Sequence, residues 1–486
     1  MKKSKNRITH IAIIILGIIF VCISGFHTNT WFDEAYSVGM ANHTMSEIWT
    51  IGGNDVHPIL YYWMLRIVSL ITGGSILAYR IFSMIPIAIL GLIGFTHIRK
   101  DFGEKTGLLF SFLVYLLPQT AVYANEIRMY SWAVLTVTLL AIYAYRLTKD
   151  NSNKNWAIFF ISSIMSIYLH YYGLMAAGII NVILLIYLIV KKRKKDIIKI
   201  LIFGIIQAVS YIPWLMYFVS QLGKMTKGFW IGFEFPKTVI ELMSFQFIGN
   251  LSYKIPFIIS VIIYIILFIK AILLNKKKED ILPIKLSFGI YMLVILAAII
   301  MTFILKTSIV YYRYLFVITG LYIFTISYIL GKEKNNLIVI LICIVIGMLG
   351  CINNIKLVRE NYDESNKKIF TYFNENIKEN DYIVYNQIGS ASTCSIYADN
   401  QNQYFYNPEN WGVEEAYKAF APQMTVVINE NFLQDISGRI WIVDDWNKTL
   451  YNKLFNNNKY KLIKEDFIET KYHGYNYNMI LIERIK

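Results

Sequence analysis

The chain has 486 residues, 56% hydrophobic and 16% charged, with a formal charge of +15. A water-soluble protein cannot bury that much apolar surface, so the composition excludes a soluble enzyme or binding module and indicates a membrane protein. Nor is the positive charge a nucleic-acid footprint. From Ile355 onward there are 15 Lys and Arg against 18 Asp and Glu, a net of −3, leaving +18 before it, clustered between apolar runs.

Met1-Lys2-Lys3 and the apolar run from Ile8 begin like a secretory signal. The run is long and no small-x-small cleavage pattern follows, so it reads as an uncleaved first transmembrane helix. Crossing a bilayer takes ~20 largely apolar residues, and about eleven segments satisfy that rule. They are 8–27, 76–97, 107–124, 129–147, 156–170, 172–190, 198–219, 255–274, 285–305, 310–330 and 336–354, of which 107–124 and 156–170 are short. Basic residues mark alternate connections: Lys2 to Arg7, Arg99 to Lys105, Arg146 to Lys154, Lys191 to Lys195, Lys276 to Lys278 and Lys332 to Lys334. All fall on one side, which the positive-inside rule makes cytoplasmic together with the N-terminus. The extracytoplasmic side then receives 28–75, 125–128, 170–172, 220–254, 306–309 and everything after about 355.

Within 28–75, Ile59 to Leu65 has the spacing of an interfacial helix. Segment 220–254, with Phe229, Trp230, Phe233 and Phe235, reads as a flap. Beyond 355, strands are predicted at Asp381–Tyr385, Met424–Ile428, Ile440–Val443 and Asn478–Ile482, with amphipathic helices at Asp363–Glu379 and Asn410–Phe420. The expected fold class is a polytopic α-helical membrane protein with a transmembrane catalytic domain at 1–354 and a soluble extracytoplasmic α/β domain at 355–486. Asp444-Asp445 reads as a turn after a strand. Cys22, Cys343, Cys351 and Cys394 form no disulfide framework or CxxC site.

Several outer-face residues carry chemistry. Trp31-Phe32-Asp33-Glu34 sets two carboxylates at a membrane boundary, where ionisable groups are costly and tend to mark function; Asp33 capping a helix that starts at Glu34 accounts for the same letters. Asp55 and His57 suit a ligand or a divalent metal ion, or a turn before a helix opening near Pro58. Glu126 and Arg128 lie in the next outer hairpin, His170-Tyr171-Tyr172 in another, and Arg313 at a helix mouth. Each alone has a bland account, such as a salt-bridged loop or a snorkelling arginine. Together, carboxylates and arginines at one membrane face suit a reaction on a phosphorylated lipid, with Arg binding the phosphate and a carboxylate accepting a proton.

These motifs have a family pattern. WFDEAYS after the first helix, DVHP followed by LYYW, NEIRMY, LHYYG and YYRYL resemble the GT-C glycosyltransferases, and within them the protein O-mannosyltransferase and aminoarabinose transferase type of bacteria. The resemblance covers the membrane region to about residue 330. It implies a sugar donor on polyprenyl phosphate in the outer leaflet of a bacterial plasma membrane and one inverting displacement. Asp33 would be the general base. Glu34 and Glu126 would orient the acceptor or stabilise charge. Arg313 and Arg128 would hold the phosphate, and His57, Tyr61, His170 and Tyr171 would line the donor pocket. No cofactor is required by this reading; a divalent ion at Asp55 and His57 is permitted. The acceptor would be a protein, a glycolipid or a cell-wall polymer. Three rival readings are a lipid-linked glycan polymerase, a transporter or flippase, and a silent scaffold. A transporter should hold its charges at mid-membrane.

Overall fold

The computed structural model describes residues 2–226, 231–249, 251–252, 254–276, 280–398, 402–409, 418–420, 424–455 and 459–485. Phe229 and Trp230 of the expected flap, and most of the expected helix Asn410–Phe420, lie outside them. The chain forms two compact units. One comprises Met1–Phe26, Val56–Tyr61 and Arg80–Leu357; the other comprises His27–Asp55, Tyr62–Tyr79 and Val358–Lys486. Much of the first external loop, expected with the membrane domain, therefore belongs with the C-terminal domain.

The first unit is helical. Every segment expected to span is occupied by helix, but the count by length is lower. Among the described residues eight helices are long and apolar enough to cross a membrane, or nine if one bent pair is a single span. That pair is Glu104–Leu116 and Pro118–Asn125, which meet at 61°. The helix Asn153–Leu169 has only 17 residues. The long helix Lys194–Met225 leaves Ile205, Val209, Ile212 and Met216 exposed, an apolar face that needs lipid rather than water. The protein is integral to a membrane.

Close helix packing rests on small residues. A Cβ on Gly107 would stand 2.5 Å from the Gly94 carbonyl oxygen and 2.7 Å from Arg99 Cα, so only glycine lets these backbones meet. Pro118 opens the second half of the bent pair and brings no N–H. Its carbonyl accepts from Asn353 Nδ2 at 3.1 Å. Nearby, Asn354 Nδ2 donates to the Phe20 carbonyl at 2.6 Å, and Asn125 Nδ2 donates to Ala121 O at 2.7 Å and Ser24 Oγ at 2.8 Å.

The basic loops do converge on one end of this unit. Arg146 Nε donates to Asp101 Oδ2 at 2.7 Å. Lys105 Nζ reaches the Glu333 carbonyl at 2.7 Å and Asn336 Oδ1 at 3.0 Å. Lys270 pairs with the Glu333 carboxylate, and Arg193 Nη1 donates to Leu147 O at 2.7 Å. Four of the basic connections, with Lys270 of the helix Lys254–Lys276, thus meet where the charge pattern places them.

The second unit centres on a six-stranded sheet ordered β3-β2-β1-β4-β6-β5. The strands are β1 (Tyr382–Tyr385), β2 (Gln403–Tyr406), β3 (Thr425–Val427), β4 (Arg439–Asp444), β5 (Tyr460–Glu469) and β6 (Asn476–Arg484). β3, β2, β1 and β4 run parallel, with β6 and β5 antiparallel at one side. β4 lies inside the sheet, and its run Ile440-Trp441-Ile442-Val443 is fully buried, as a strand covered on both faces requires. Asp444 ends β4. Its carboxylate accepts from the Tyr451 N–H at 2.7 Å and from Asn386 Nδ2 at 2.6 Å, and Asp445 Oδ1 accepts from the Thr449 N–H at 2.9 Å. The pair ties a turn and the helix Thr449–Phe455, and burial raises the Asp444 carboxyl above its usual range.

Candidate active site

At the end of the first unit opposite the basic loops lies a cavity of about 230 Å³. His57, Arg128, His170 and Tyr171 all line it, with Tyr130, Tyr314, Phe218 and four methionines among the other walls. His170 is placed by a break between helices. The helix Asn153–Leu169 ends there in extended backbone, and His170 Nδ1 accepts the Tyr172 N–H at 3.1 Å, capping the helix Tyr171–Val190. A neutral ring bonded this way keeps its proton on Nε2. Burial pushes the imidazole down to about 3, with His57 and Arg128 adding to the effect. His170 is therefore an uncharged N–H donor at neutral pH.

Arg128 sits in the tight turn before the helix Tyr130–Lys149. Its N–H donates to the Glu126 carbonyl at 2.8 Å, and its residue surface is 2% exposed. A buried guanidinium can give two parallel hydrogen bonds to a phosphate. The Tyr171 hydroxyl donates to Gln221 Oε1, which fixes the ring on the cavity wall. Glu126 and Arg313 are not among the lining residues. Each lies within electrostatic reach of the Tyr123 hydroxyl, and Arg313 stacks over the Tyr311 ring at 4.8 Å. Tyr61 goes elsewhere: it is fully buried and its hydroxyl meets Ser83 Oγ at 2.8 Å, a core contact rather than a pocket wall.

Two residues outside the motifs join this end. Arg80 is wholly buried one turn into an apolar helix and donates to the Asn125 carbonyl. A cation in an apolar run is the signal that marks it. Gln221, 1% exposed on the helix Lys194–Met225, gives no motif signal.

Asp33 and Glu34 lie in the second unit, in the first turn of the helix Phe32–Met40. Trp31 is the N-cap and no side chain caps this helix, so helix capping does not account for Asp33. The loop between β5 and β6 grips this segment. The Tyr472 hydroxyl donates to Glu34 Oε2 at 2.8 Å, and Glu34 is fully buried. The Phe32 N–H donates to the Tyr475 hydroxyl at 3.0 Å. His473 stacks flat on Trp31, with centroids 4.6 Å apart at 9°. Burial pushes the Tyr475 hydroxyl up to about 12, opposed by the Phe32 N–H and helped by the charges of Asp33 and Glu34. Asp55 follows the helix Met45–Asn54 as its C-cap. Among the described residues no group of three or more His, Cys, Asp or Glu is placed to hold a metal ion.

A family model described as dolichyl-phosphate-mannose-protein mannosyltransferase matches residues 56–217. That span holds His57, Tyr61, Glu126, Arg128, His170 and Tyr171, but not Asp33, Glu34 or Arg313. ArnT from Cupriavidus metallidurans bound to undecaprenyl phosphate superposes with a TM-score of 0.62 at 10% identity, over 98% of this chain and 97% of that one. The chain has the ArnT fold. The apo state of ArnT superposes with a TM-score of 0.51, also at 10% identity, over 100% and 99% of the two chains. No curated protein matches by sequence. The fold class drawn from the motifs is thus the one found.

Proposed function

We propose that the protein is a glycosyltransferase that moves a sugar from a polyprenyl-phosphate donor to an acceptor hydroxyl on the extracytoplasmic face. The observation that carries this reading is the cavity at the end away from the basic loops, where His57, Arg128, His170 and Tyr171 converge. It offers a charged fork and a neutral N–H donor within an apolar, methionine-rich wall, as a lipid phosphate with its first isoprene units requires. The fold similarity to an undecaprenyl-phosphate-bound structure supports the same donor.

In this mechanism Asp33 accepts the proton of the acceptor hydroxyl as its oxygen attacks the anomeric carbon. The bond from that carbon to the phosphate oxygen breaks, and polyprenyl phosphate leaves with the electron pair. Positive charge builds on the sugar ring, as in glycoside hydrolysis, while Arg128 and Arg313 offset the negative charge on the departing phosphate. The single displacement inverts the anomeric centre. Glu34 fixes the Asp33 helix, and Glu126 stabilises developing positive charge. A divalent ion at Asp55 and His57 is not needed for these steps.

The test is turnover of radiolabelled polyprenyl-phosphate sugars by the purified protein. Release of polyprenyl phosphate is expected, and Asp33→Asn should abolish it while leaving the melting curve intact. Full activity of that variant removes Asp33 as base, and transport of the lipid without bond cleavage overturns the enzyme reading.

A further inference from the structure

The second unit contains its own pocket of about 370 Å³, which the donor chemistry does not use. Its walls carry the rings of Phe370, Tyr397, Tyr472, Tyr475 and Tyr477 together with threonine and asparagine side chains. The rings are fixed. The Tyr397 hydroxyl meets Thr30 Oγ1 at 3.0 Å and donates to the Thr28 carbonyl at 3.1 Å. The Tyr477 hydroxyl meets Thr393 Oγ1 at 3.1 Å, and Tyr472 and Tyr475 hold Glu34 and Phe32 as described. Among the described lining residues Lys367 alone is charged, and it pairs with Glu364 at 3.3 Å. The pocket is thus not built for an anion such as the donor phosphate.

Preorganised aromatic faces with hydroxyl and amide edges match one ligand chemistry. The electron-rich face of a tyrosine ring attracts the polarised C–H groups on one side of a pyranose. Threonine and asparagine side chains suit its hydroxyl rim. A lipid tail matches the rings but not the hydroxyl and amide edges beside them, and a peptide bound in extended form would need a free strand edge, whereas these walls are rings and side chains. The size falls toward the lower end of small-ligand pockets, enough for one or two sugar rings at about 300 Å³ and above.

The position gives the pocket a role. Thr28 and Thr30 in its wall run directly into the Asp33 helix, and the Tyr475 hydroxyl in its wall lies within the electrostatic reach of Asp33. We infer that this pocket binds the saccharide rings of the acceptor, so that the acceptor is a glycan whose hydroxyl is delivered beside Asp33. The inference rests on the glycosyltransferase reading and narrows its acceptor class.

The test uses the full-length protein in lipid nanodiscs and saturation-transfer NMR, with chitobiose, maltose and a Ser/Thr-rich peptide as probes. Saturation should pass to the ring protons of at least one saccharide. Leu77→Trp fills the pocket and should reduce saccharide affinity about tenfold or more, which is about 1.4 kcal/mol. Phe370→Ala removes an aromatic wall and should weaken the same signal; Phe370 is 47% exposed, so its loss leaves the core intact. The inference fails if no saccharide receives saturation, if both variants leave the saccharide signal unchanged, or if only the peptide binds and Leu77→Trp abolishes that. Polyprenyl-phosphate release by the same wild-type preparation separates the two readings: turnover without saccharide binding sinks only the acceptor pocket, and saccharide binding without turnover sinks the transfer reaction.

Discussion

Replacing Tyr472 by phenylalanine removes one oxygen, and with it the hydrogen bond to Glu34 Oε2 at 2.8 Å. Glu34 is fully buried, so water does not replace the lost donor. A hydrogen bond to a charged group contributes about 1.5–3 kcal/mol, and an abandoned buried acceptor costs a similar amount. We take about 2 kcal/mol, which in a unit of this size lowers the melting temperature by about 4–8 °C. The ring stays, as does its edge contact with His27 at 5.1 Å, so packing changes little. Scanning fluorimetry of the full chain in detergent reads the shift. Because Glu34 neighbours Asp33 on one helical turn, turnover should fall through kcat with KM for the lipid donor unchanged. A melting temperature within about 1 °C of wild type, corresponding to under 0.5 kcal/mol, together with normal kcat would refute the claim that this loop secures the Asp33 helix.

Arg128→Lys keeps the charge but loses the planar fork; KM for the polyprenyl-phosphate sugar should rise about tenfold, the equivalent of 1.4 kcal/mol, and an unchanged KM would remove Arg128 from phosphate binding. His170 has a folded-state value depressed to about 3 from 6.5. The unfolded chain therefore binds more protons between those values, so the His170 contribution to stability is complete above pH 6.5 and declines as pH falls, by up to about 1.4 kcal/mol per pH unit. Melting followed from pH 7 to pH 4 should show a shallower acid limb in His170→Gln, and identical slopes would contradict the assignment. Gly107→Val would press a side chain onto the Gly94 carbonyl, which is already 2.5 Å from an ideal Cβ. Overpacking of this kind costs about 1–3 kcal/mol, and thermal melting or loss of a monodisperse elution peak would register it.

Most of the helical unit is legible in the sequence because apolar length and basic loops are set by the bilayer. The bent pair at Leu117-Pro118 defeats a length rule, since two short helices share one apolar run. In the sheet, β1, β3, β4 and β6 correspond to short apolar runs. β2, Gln403-Tyr404-Phe405-Tyr406, is flanked by polar residues, and β5 is an edge strand with Lys461, Lys464, Glu465 and Asp466 in it, so neither has the expected periodicity. Among site residues, His57, Arg128, His170 and Tyr171 are legible because each stands in a connection between apolar runs at the end away from the basic loops. Tyr61 shares that setting, yet helical phase turns it toward Ser83. The grip of Tyr472, His473 and Tyr475 on the Asp33 segment joins positions more than 400 residues apart, and no local pattern announces it.

The asparagines near the end of the last span carry a consequence for how the chain is made. Pro118 and Phe20 expose carbonyls within the bundle, and both are met by Asn353 and Asn354. Lipid offers no substitute donor. A nascent chain that has inserted its first spans therefore waits through more than 330 residues of synthesis before the Phe20 carbonyl receives the Asn354 donor, and more than 230 before Asn353 adds its bond to Pro118. Assembly of the bundle is thereby coupled to completion of its final helix, and a chain arrested before Asn353 would remain an incomplete bundle open to membrane quality control.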